Sequence, residues 1–114
     1  MENKHRLKKN KDFQSVFKDG RSTANRQLVV YVKDKPGQAD FRVGFSVSKK
    51  IGTAVKRNYI KRCLKEAIRH LDKDLGEKDL IVIARKPVCS MDCAEIDKSL
   101  RHVLKKAGFS REKS

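Results

Sequence analysis

The side chains of this sequence best suited to bind another molecule are Lys and Arg residues that repeat with helical spacing. Residues 49–69 carry eight Lys or Arg and one Glu, a net charge of +7. At about 100° per residue, a narrow arc of this segment collects Asn58, Arg62, Lys65 and Arg69, with Arg57 and Lys61 on its flank. Such a face binds phosphates without reading base sequence. Solvation of a surface helix is the alternative, but like charges four residues apart mildly destabilise a helix, so folding alone does not favour the pattern.

Groups suited to hydrolysis or metal binding are present but scattered. Carboxylates concentrate around Gly76, at Asp72, Asp74, Glu77 and Asp79. They are typical of a solvated connector between a helix and a strand. The histidines are isolated and predicted at the surface, at His5, His70 and His102. No phosphate-binding glycine loop, dinucleotide fingerprint or nucleophile elbow is present, so we expect no catalytic residue, metal ligand or cofactor in the polypeptide alone.

The cysteines do not fit a secreted disulfide framework. Cys63, Cys89 and Cys93 are odd in number, which agrees with free, buried or half-buried thiols in a reducing compartment. A metal site formed by Cys89, Cys93 and His102 would lack a fourth ligand and suitable spacing. We therefore predict three thiols.

The chain as a whole is small and strongly basic. Its 114 residues and 13.1 kDa fit one domain, 1–114, and exclude a large multi-site enzyme. A net charge of +15 attracts polyanions, of which nucleic acid is the commonest in a cell and an anionic membrane surface the other candidate. Residues 1–11 add a second basic block with a net charge of +4. Two concentrated blocks favour a binding footprint over an evenly solvated surface.

Membrane insertion and secretion are both disfavoured. The longest apolar runs, 28–32 and 80–84, have five residues each, against the roughly twenty that a spanning helix needs. The basic segment 1–9 leads into no apolar stretch or cleavage site typical of a secretory signal. We expect a cytoplasmic protein with no membrane partner.

The first half of the chain is predicted to form one helix and two or three strands. Asn10 is expected to cap a helix over 10–18 that ends before Gly20. A valine-rich strand follows at 27–33, with a short extra strand possible at 21–24. Residues 35–40, with Pro and Gly, predict a hairpin turn. After it, Phe41, Val43, Phe45 and Val47 alternate with Arg42, Gly44, Ser46 and Ser48, which indicates a half-buried antiparallel strand.

The second half is predicted to form helix, strand and helix. Residues 53–71 place an apolar stripe opposite the cationic arc. The run 80–84 suits a central strand over 79–85 that is buried on both sides. Asp92 and Glu95 predict a capping box for a last amphipathic helix that ends before Gly108. The predicted fold is an α+β sandwich of order α-β-β-α-β-α, or α-β-β-β-α-β-α with the extra strand, on a mixed sheet.

One sheet face is predicted to stay open. The residues between the apolar positions of the second strand are small or polar, so ordinary hydrophobic packing is not expected to cover them. Phe13, Phe17 and Tyr31 pack in the core on one interpretation. On the other, Tyr31 and Val29 meet the first helix across a cleft, where aromatic rings would favour unpaired nucleotides.

Four segments together resemble one family. Residues 46–69, SVSKKIGTAVKRNYIKRCLKEAIR, resemble the signature of the bacterial ribonuclease P protein subunit, whose helix carries an Arg-Asn-Arg pattern followed by Lys-Arg. The segments RLKKNKDFQSVFKDG, ANRQLVVYV and DLIVIARK occur in the family's order. The resemblance covers nearly the whole chain before the tail after Lys106. Tyr59 stands where the family has its second Arg, and Lys56 is the candidate to replace that charge.

The resemblance implies a fold, a function and a set of sites. It implies a left-handed β-α-β crossover through the basic helix and one domain with a basic segment 1–9 and a flexible tail 108–114. It implies a non-catalytic subunit that joins a catalytic RNA, which with Mg²⁺ removes the 5′ leader of precursor tRNA, with no protein partner required. The residues implied to face the catalytic RNA are Lys56, Arg57, Asn58, Lys61, Arg62, Lys65 and Arg69, with Lys8, Lys9, Lys49 and Lys50 as auxiliary cations. Those implied to line a leader-binding cleft are Phe13, Phe17, Val29, Tyr31, Ser46 and Ser48.

Three other functions compete with this interpretation. A ribosomal or other RNA-binding protein of this size would share the charge and the mixed fold but would not need a cleft. A DNA-binding protein would normally present its helix in a helix-turn-helix or finger context, which is missing here. An independent protein nuclease would need clustered carboxylates or a histidine pair that the sequence does not offer.

Overall fold

The computed structural model describes residues 5–70 and 76–109, which form three α-helices and a four-stranded sheet. The elements in chain order are α1 (Asn10–Asp19), β1 (Arg21–Ala24), β2 (Leu28–Asp34), β3 (Arg42–Ser46), α2 (Ala54–Arg69), β4 (Lys78–Ala84) and α3 (Cys93–Lys106). Short 3-10 turns at Lys49–Ile51 and Lys86–Ser90 precede α2 and α3. The predicted α+β class is confirmed, and so is the extra strand at 21–24.

The sheet order differs from the predicted hairpin arrangement. The strands lie in the order β1-β2-β4-β3, with β1/β2 and β2/β4 antiparallel and β3/β4 parallel. The predictions of a β2–β3 hairpin through 35–40 and of an antiparallel β3 are therefore wrong. The run 80–84 is apolar toward both faces of the sheet. Strand β4 accordingly lies inside the sheet, between β2 and β3. Residues 35–40 instead turn onto the start of β4, where the Lys35 N–H donates to the Glu77 carbonyl oxygen at 2.9 Å.

The segment from β3 through α2 to β4 is a parallel crossover, because β3 and β4 are parallel neighbours. The left-handed sense of this crossover stays a prediction of the resemblance.

The main core lies on the sheet face that α2 and α3 cover. On this face Leu28, Val30 and Val32 of β2 are buried, as their alternation predicts. Helices α2 and α3 cover them with two apolar stripes, formed by Ile60, Leu64, Ala67 and Ile68 and by Ile96, Leu100, Val103 and Leu104.

The helix ends follow local chemistry, with one exception. Thr53 caps α2, its hydroxyl accepting from the Lys56 N–H at 3.2 Å, and the Asp92–Glu95 capping box of α3 is present. Leu71, the predicted end of the α2 stripe, lies outside the described residues. Helix α1 ends at Gly20 as predicted, but Asn10 does not cap it. The Lys9 carbonyl accepts the first helical bonds, so Asn10 is already helical.

Residues 5–7, ahead of α1, lie against the sheet. The Leu7 N–H donates to the Val43 carbonyl oxygen at 3.0 Å, and the Leu7 side chain is buried. The ring of His5 stacks on Phe41 with centroids 4.1 Å apart. Because its ring lies against Phe41, His5 is half-buried, whereas His70 and His102 are exposed as predicted.

One further prediction is corrected. Asp79 is not part of a solvated connector but a buried residue of β4, whereas Glu77 is exposed and Asp72 and Asp74 lie outside the described residues. Within the predicted tail, Phe109 packs against the main core, and its N–H donates to the Leu104 carbonyl oxygen at 2.9 Å.

The cysteines are not three thiols. Cys63 and Cys93 form a disulfide with their Cα atoms 5.0 Å apart, and Cys89 is the free cysteine. The prediction fails because α2 and α3 pack side by side and bring together residues that are 30 positions apart in the chain. None of the described helices has both the length and the apolar composition needed to cross a bilayer.

Candidate nucleic-acid interface

The cationic arc lies on the outer surface of α2. Asn58, Arg62 and Arg69 are exposed, and Lys65 is half-exposed, while the apolar stripe of the same helix is buried. The Arg69 guanidinium donates to a Glu66 carboxylate oxygen at 2.6 Å. This hydrogen bond lowers the pKa of Glu66, so the carboxylate stays charged and neutralises Arg69 in part.

Arg62 and Lys65 keep their charge available. Within residues 5–70 and 76–109, no carboxylate forms an ion pair with either side chain or with the neighbouring Lys61. Glu66 lies four residues after Arg62, a spacing at which helical ion pairs form, but its carboxylate bonds Arg69 and His70 instead. The surface is therefore suited to a polyanion that supplies the missing charge.

The start of α2 is organised differently from its middle. Arg57 is half-buried, and its Nε donates to the Gly52 carbonyl oxygen at 3.3 Å. Tyr59 does not share the cationic arc, since its hydroxyl oxygen accepts from the Cys93 N–H at 3.2 Å. The Lys56 ammonium lies 5.5 Å from the centroid of the Tyr59 ring. Tyr59 thus ties α2 to α3, and Lys56 is the cation beside it.

The auxiliary cations lie in the segments that lead into two of the helices. Lys8 and Lys9 are exposed just before α1. Lys49 and Lys50 are exposed in the 3-10 turn between β3 and α2, directly after Ser48. Each pair is therefore free to extend a contact made by the helix that follows it.

Helix α1 packs on the sheet face opposite α2 and α3, and it covers only part of that face. One row across the sheet runs through Tyr31, Ile81 and Gly44, and the next runs through Val29, Ile83 and Ser46. Val16 of α1 packs on the first row at Ile81, which is fully buried. In the second row Val29 and Ile83 are half-buried and Ser46 is exposed. The sheet therefore offers an open strip beside α1.

The aromatic residues of this face have different surroundings. The Phe13 ring lies over Gly44, where an added Cβ would come within 2.4 Å of the ring. The prediction that this face stays open is therefore wrong at Gly44, because a missing side chain leaves room for a ring. Phe17 is 42% exposed and meets Tyr31 edge-on, with centroids 4.9 Å apart. Core packing accounts for Phe13, whereas Phe17 and Tyr31 border the open strip.

A buried ion pair fixes α1 against the sheet. Arg42 donates to both carboxylate oxygens of Asp79, at 2.9 and 2.7 Å, and reaches Asp12 of α1 at 3.4 Å. Burial opposes the charge on Asp79, but the hydrogen bonds from Arg42 and Gln38 outweigh it and hold the pKa of Asp79 below its ordinary value. The Arg42 guanidinium therefore joins α1, which borders the strip, to the sheet.

The described residues were compared with the groups that metal binding requires. Among the described residues, no group of three or more His, Cys, Asp or Glu side chains is placed to hold a metal ion. The arrangement offers cations on α2, two rings and a half-apolar strip beside α1.

Comparison with known proteins decides the family. The family model described as Ribonuclease P matches residues 1–108. The chain belongs to the ribonuclease P protein family. The ribonuclease P protein component of Bacillus cereus (strain Q1) is 54% identical over 114 residues, which cover 99% of each chain. Family membership replaces the ribosomal and DNA-binding alternatives.

Solved structures of ribonuclease P proteins share the fold. The Staphylococcus aureus protein gives a TM-score of 0.89 at 48% identity, covering 94% of this chain and 98% of that one. The Thermotoga maritima protein, solved in complex with 1-(4-fluorophenyl)-2-thiourea, gives 0.80 at 32% identity, covering 89% and 98%. The ribonuclease P fold is thus preserved down to about one identical residue in three.

Two contributors to the site escape prediction from the sequence. Ile83 lies in an apolar run without alternation, which does not tell which of its residues border an opening. Arg42 is separated from Asp79 by 37 positions, so their pairing depends on the register of β3 and β4. One signal was available for Arg42, since a cation inside an alternating strand needs a partner or solvent.

Proposed function

We propose that this ribonuclease P protein binds the catalytic RNA through α2 and holds the single-stranded 5′ leader of precursor tRNA in the strip beside α1. The observation that carries the proposal is the exposed cationic arc, where Arg62 and Lys65 have no carboxylate partner among the described residues. A folded RNA presents phosphates to such a helix at near-regular spacing and replaces the counterions on both surfaces. The role is exerted in the cytoplasm.

The strip beside α1 suits an unpaired strand. Phe17 and Tyr31 offer rings on which a base can stack, and Val29 and Ser46 offer apolar and hydroxyl contacts. A duplex would present phosphates rather than base faces to these rings. The leader is the part of precursor tRNA that the mature product lacks, so this contact distinguishes substrate from product.

Bond cleavage belongs to the RNA in this proposal. Mg²⁺ held by the catalytic RNA supplies Lewis-acid stabilisation and an activated water when it is bound. The polypeptide contributes endonucleolytic selectivity through positioning: its cations lower repulsion between two polyanions, and its strip keeps the leader extended. This division makes the protein a non-catalytic subunit that assists tRNA processing and broadens the range of accepted substrates.

Removing one cation from the arc tests the contact with the catalytic RNA. We expect Arg62→Ala to weaken binding to that RNA and to reduce the slope of log K against log salt by about 0.9, because one phosphate contact is lost. The matched control is Arg101→Ala on α3, which removes the same charge from an exposed helix whose guanidinium pairs with Asp97 at 3.0 Å. Salt titrations of binding measure both variants. An unchanged salt slope for Arg62→Ala, or an equal loss of RNA affinity in Arg101→Ala, would show that α2 does not contact the RNA.

A further inference from the structure

The disulfide between Cys63 and Cys93 has two unequal ends. Cys63 lies on the inner flank of α2 and is 2% exposed, whereas Cys93 is exposed at the first position of α3. Their Cα separation of 5.0 Å lies within the range that disulfides bridge without backbone movement. Cys93 is therefore more accessible to reagents than Cys63.

The pair opens into a cavity of about 390 Å³ between the two helices. Glu66 and His70 line it from α2, and Asp97 and Arg101 line it from α3. This cavity is separate from the strip beside α1, which lies on the opposite face of the sheet. It gives a low-molecular-weight thiol or disulfide a direct path to Cys93.

The position of Cys93 favours reaction. As the first residue of α3 it lies at a helix N-terminus, where the helix dipole favours a thiolate and the neighbouring Asp92 and Glu95 carboxylates of the capping box oppose it. Its backbone N–H donates to the Tyr59 hydroxyl oxygen at 3.2 Å, a contact between α3 and α2 that does not involve the sulfur atoms. Cys63 lies one turn after Tyr59 on the same helix. The two sulfurs are thus held in place by the packing of α2 on α3.

We propose that Cys93 is a site of reversible thiol modification and that Cys63 resolves it, so that α2 becomes covalently joined to α3 when a low-molecular-weight disulfide accumulates. The Cys93 thiolate attacks one sulfur of the disulfide RSSR, which forms the mixed disulfide and releases one RS⁻. The Cys63 thiol then loses its proton to water and attacks the Cys93 sulfur, which closes the protein disulfide and releases the second RS⁻. The cysteines lose two electrons and two protons in all, and RSSR becomes two RSH.

The bond acts on stability rather than on RNA contacts. Cys63 and the cationic arc occupy different flanks of α2, since Cys63 is buried toward α3 and Arg62 and Lys65 face outward. Closing a loop over 30 positions is expected to raise the folding equilibrium constant on the order of 10²- to 10³-fold by restricting the unfolded chain. On this proposal the pair is open under reducing conditions and is joined, as in this structure, under oxidation.

Thiol counting on the full chain tests the chemistry, with glutathione disulfide as the probe. The Cys89→Ser variant keeps both Cys63 and Cys93. After reaction with glutathione disulfide, it is expected to have no free thiol and no bound glutathione. Adding Cys63→Ser to it is expected to trap one glutathione on Cys93, whereas adding Cys93→Ser is expected to leave Cys63 unreacted in the folded protein. Alkylation followed by intact-mass measurement reads all three. Retention of both thiols in Cys89→Ser, or faster reaction at Cys63 than at Cys93, overturns the proposal.

Urea unfolding of Cys89→Ser tests whether the bond stabilises the fold, because this variant keeps both Cys63 and Cys93. The oxidised form is expected to unfold at a higher urea concentration than the reduced form, and to bind the catalytic RNA with an affinity within about twofold under conditions where both are folded. Equal unfolding midpoints overturn the stabilising role. Binding that is tenfold weaker after oxidation overturns the separation of the bond from the RNA-binding arc.

Discussion

Asp79→Ala is expected to lower the free energy of unfolding by about 3 kcal/mol, near the lower end of the range for breaking a buried ion pair. The variant leaves the Arg42 guanidinium without its bidentate partner, although Asp12 remains at 3.4 Å and the Arg42 side chain is 26% exposed. Both features soften the loss below that of a fully buried cation. Urea unfolding at neutral pH measures it.

The control for this prediction is another acid in an ion pair. Asp97→Ala removes a carboxylate that bonds Arg101 on the exposed surface of α3, and it is expected to cost less than about 0.5 kcal/mol. Equal losses in the two variants would mean that the Asp79–Arg42 pair contributes no more than a surface pair.

The same pair gives stability a direction with pH. Because the folded-state pKa of Asp79 lies below its ordinary value, its contribution is complete above the ordinary carboxyl range and is lost as the pH falls through the folded-state pKa. The difference in stability between the unmodified chain and Asp79→Ala is therefore expected to shrink on acidification. A constant difference down to strongly acidic pH would contradict the assigned pairing.

Phe17→Ala and Tyr31→Ala are each expected to weaken binding of precursor tRNA to the assembled holoenzyme by roughly tenfold, because stacking on a ring contributes about 1 to 3 kcal/mol per base. Affinity for mature tRNA is expected to stay within about twofold, since the product has no leader to place in the strip. Phe17 is exposed, so truncating it leaves the core intact. Binding titrations with matched precursor and mature tRNA measure the ratio.

Two conservative variants separate stacking from other effects. Tyr31→Phe keeps the ring and is expected to bind precursor tRNA nearly as well as the unmodified chain. Phe17→Leu keeps apolar size without the ring and is expected to lose most of what Phe17→Ala loses. Parallel losses for precursor and mature tRNA, or equal losses in Tyr31→Phe and Tyr31→Ala, would refute the cleft.

The elements that could be predicted are those that local chemistry determines. The α2 stripe, the Thr53 start and the Asp92–Glu95 capping box depend on residues a few positions apart, and the structure contains all of them. The order of strands could not be predicted in this way. Alternation in β3 indicates that one face is buried but does not identify the neighbouring strand, and the turn residues Pro36 and Gly37 form a turn whether or not a hairpin follows.

The functional surface divides along the same line. The cationic arc follows from helical periodicity, so the outward position of Arg62 and Lys65 is predictable from their spacing alone. The strip beside α1 depends on the register that aligns Val29, Ile83 and Ser46 and on the fit of Phe13 over Gly44. The Cys63–Cys93 bond and the Arg42–Asp79 pair likewise join distant positions, which a single sequence does not reveal.

Cleavage of precursor tRNA at near-physiological Mg²⁺, with the protein alone, the catalytic RNA alone and the two together, tests the central claim that the polypeptide binds and the RNA reacts. Efficient release of the leader is expected only when both are present, with the protein alone inactive and the RNA alone regaining activity as Mg²⁺ is raised. Cleavage by the protein alone at the mature 5′ end would contradict the account.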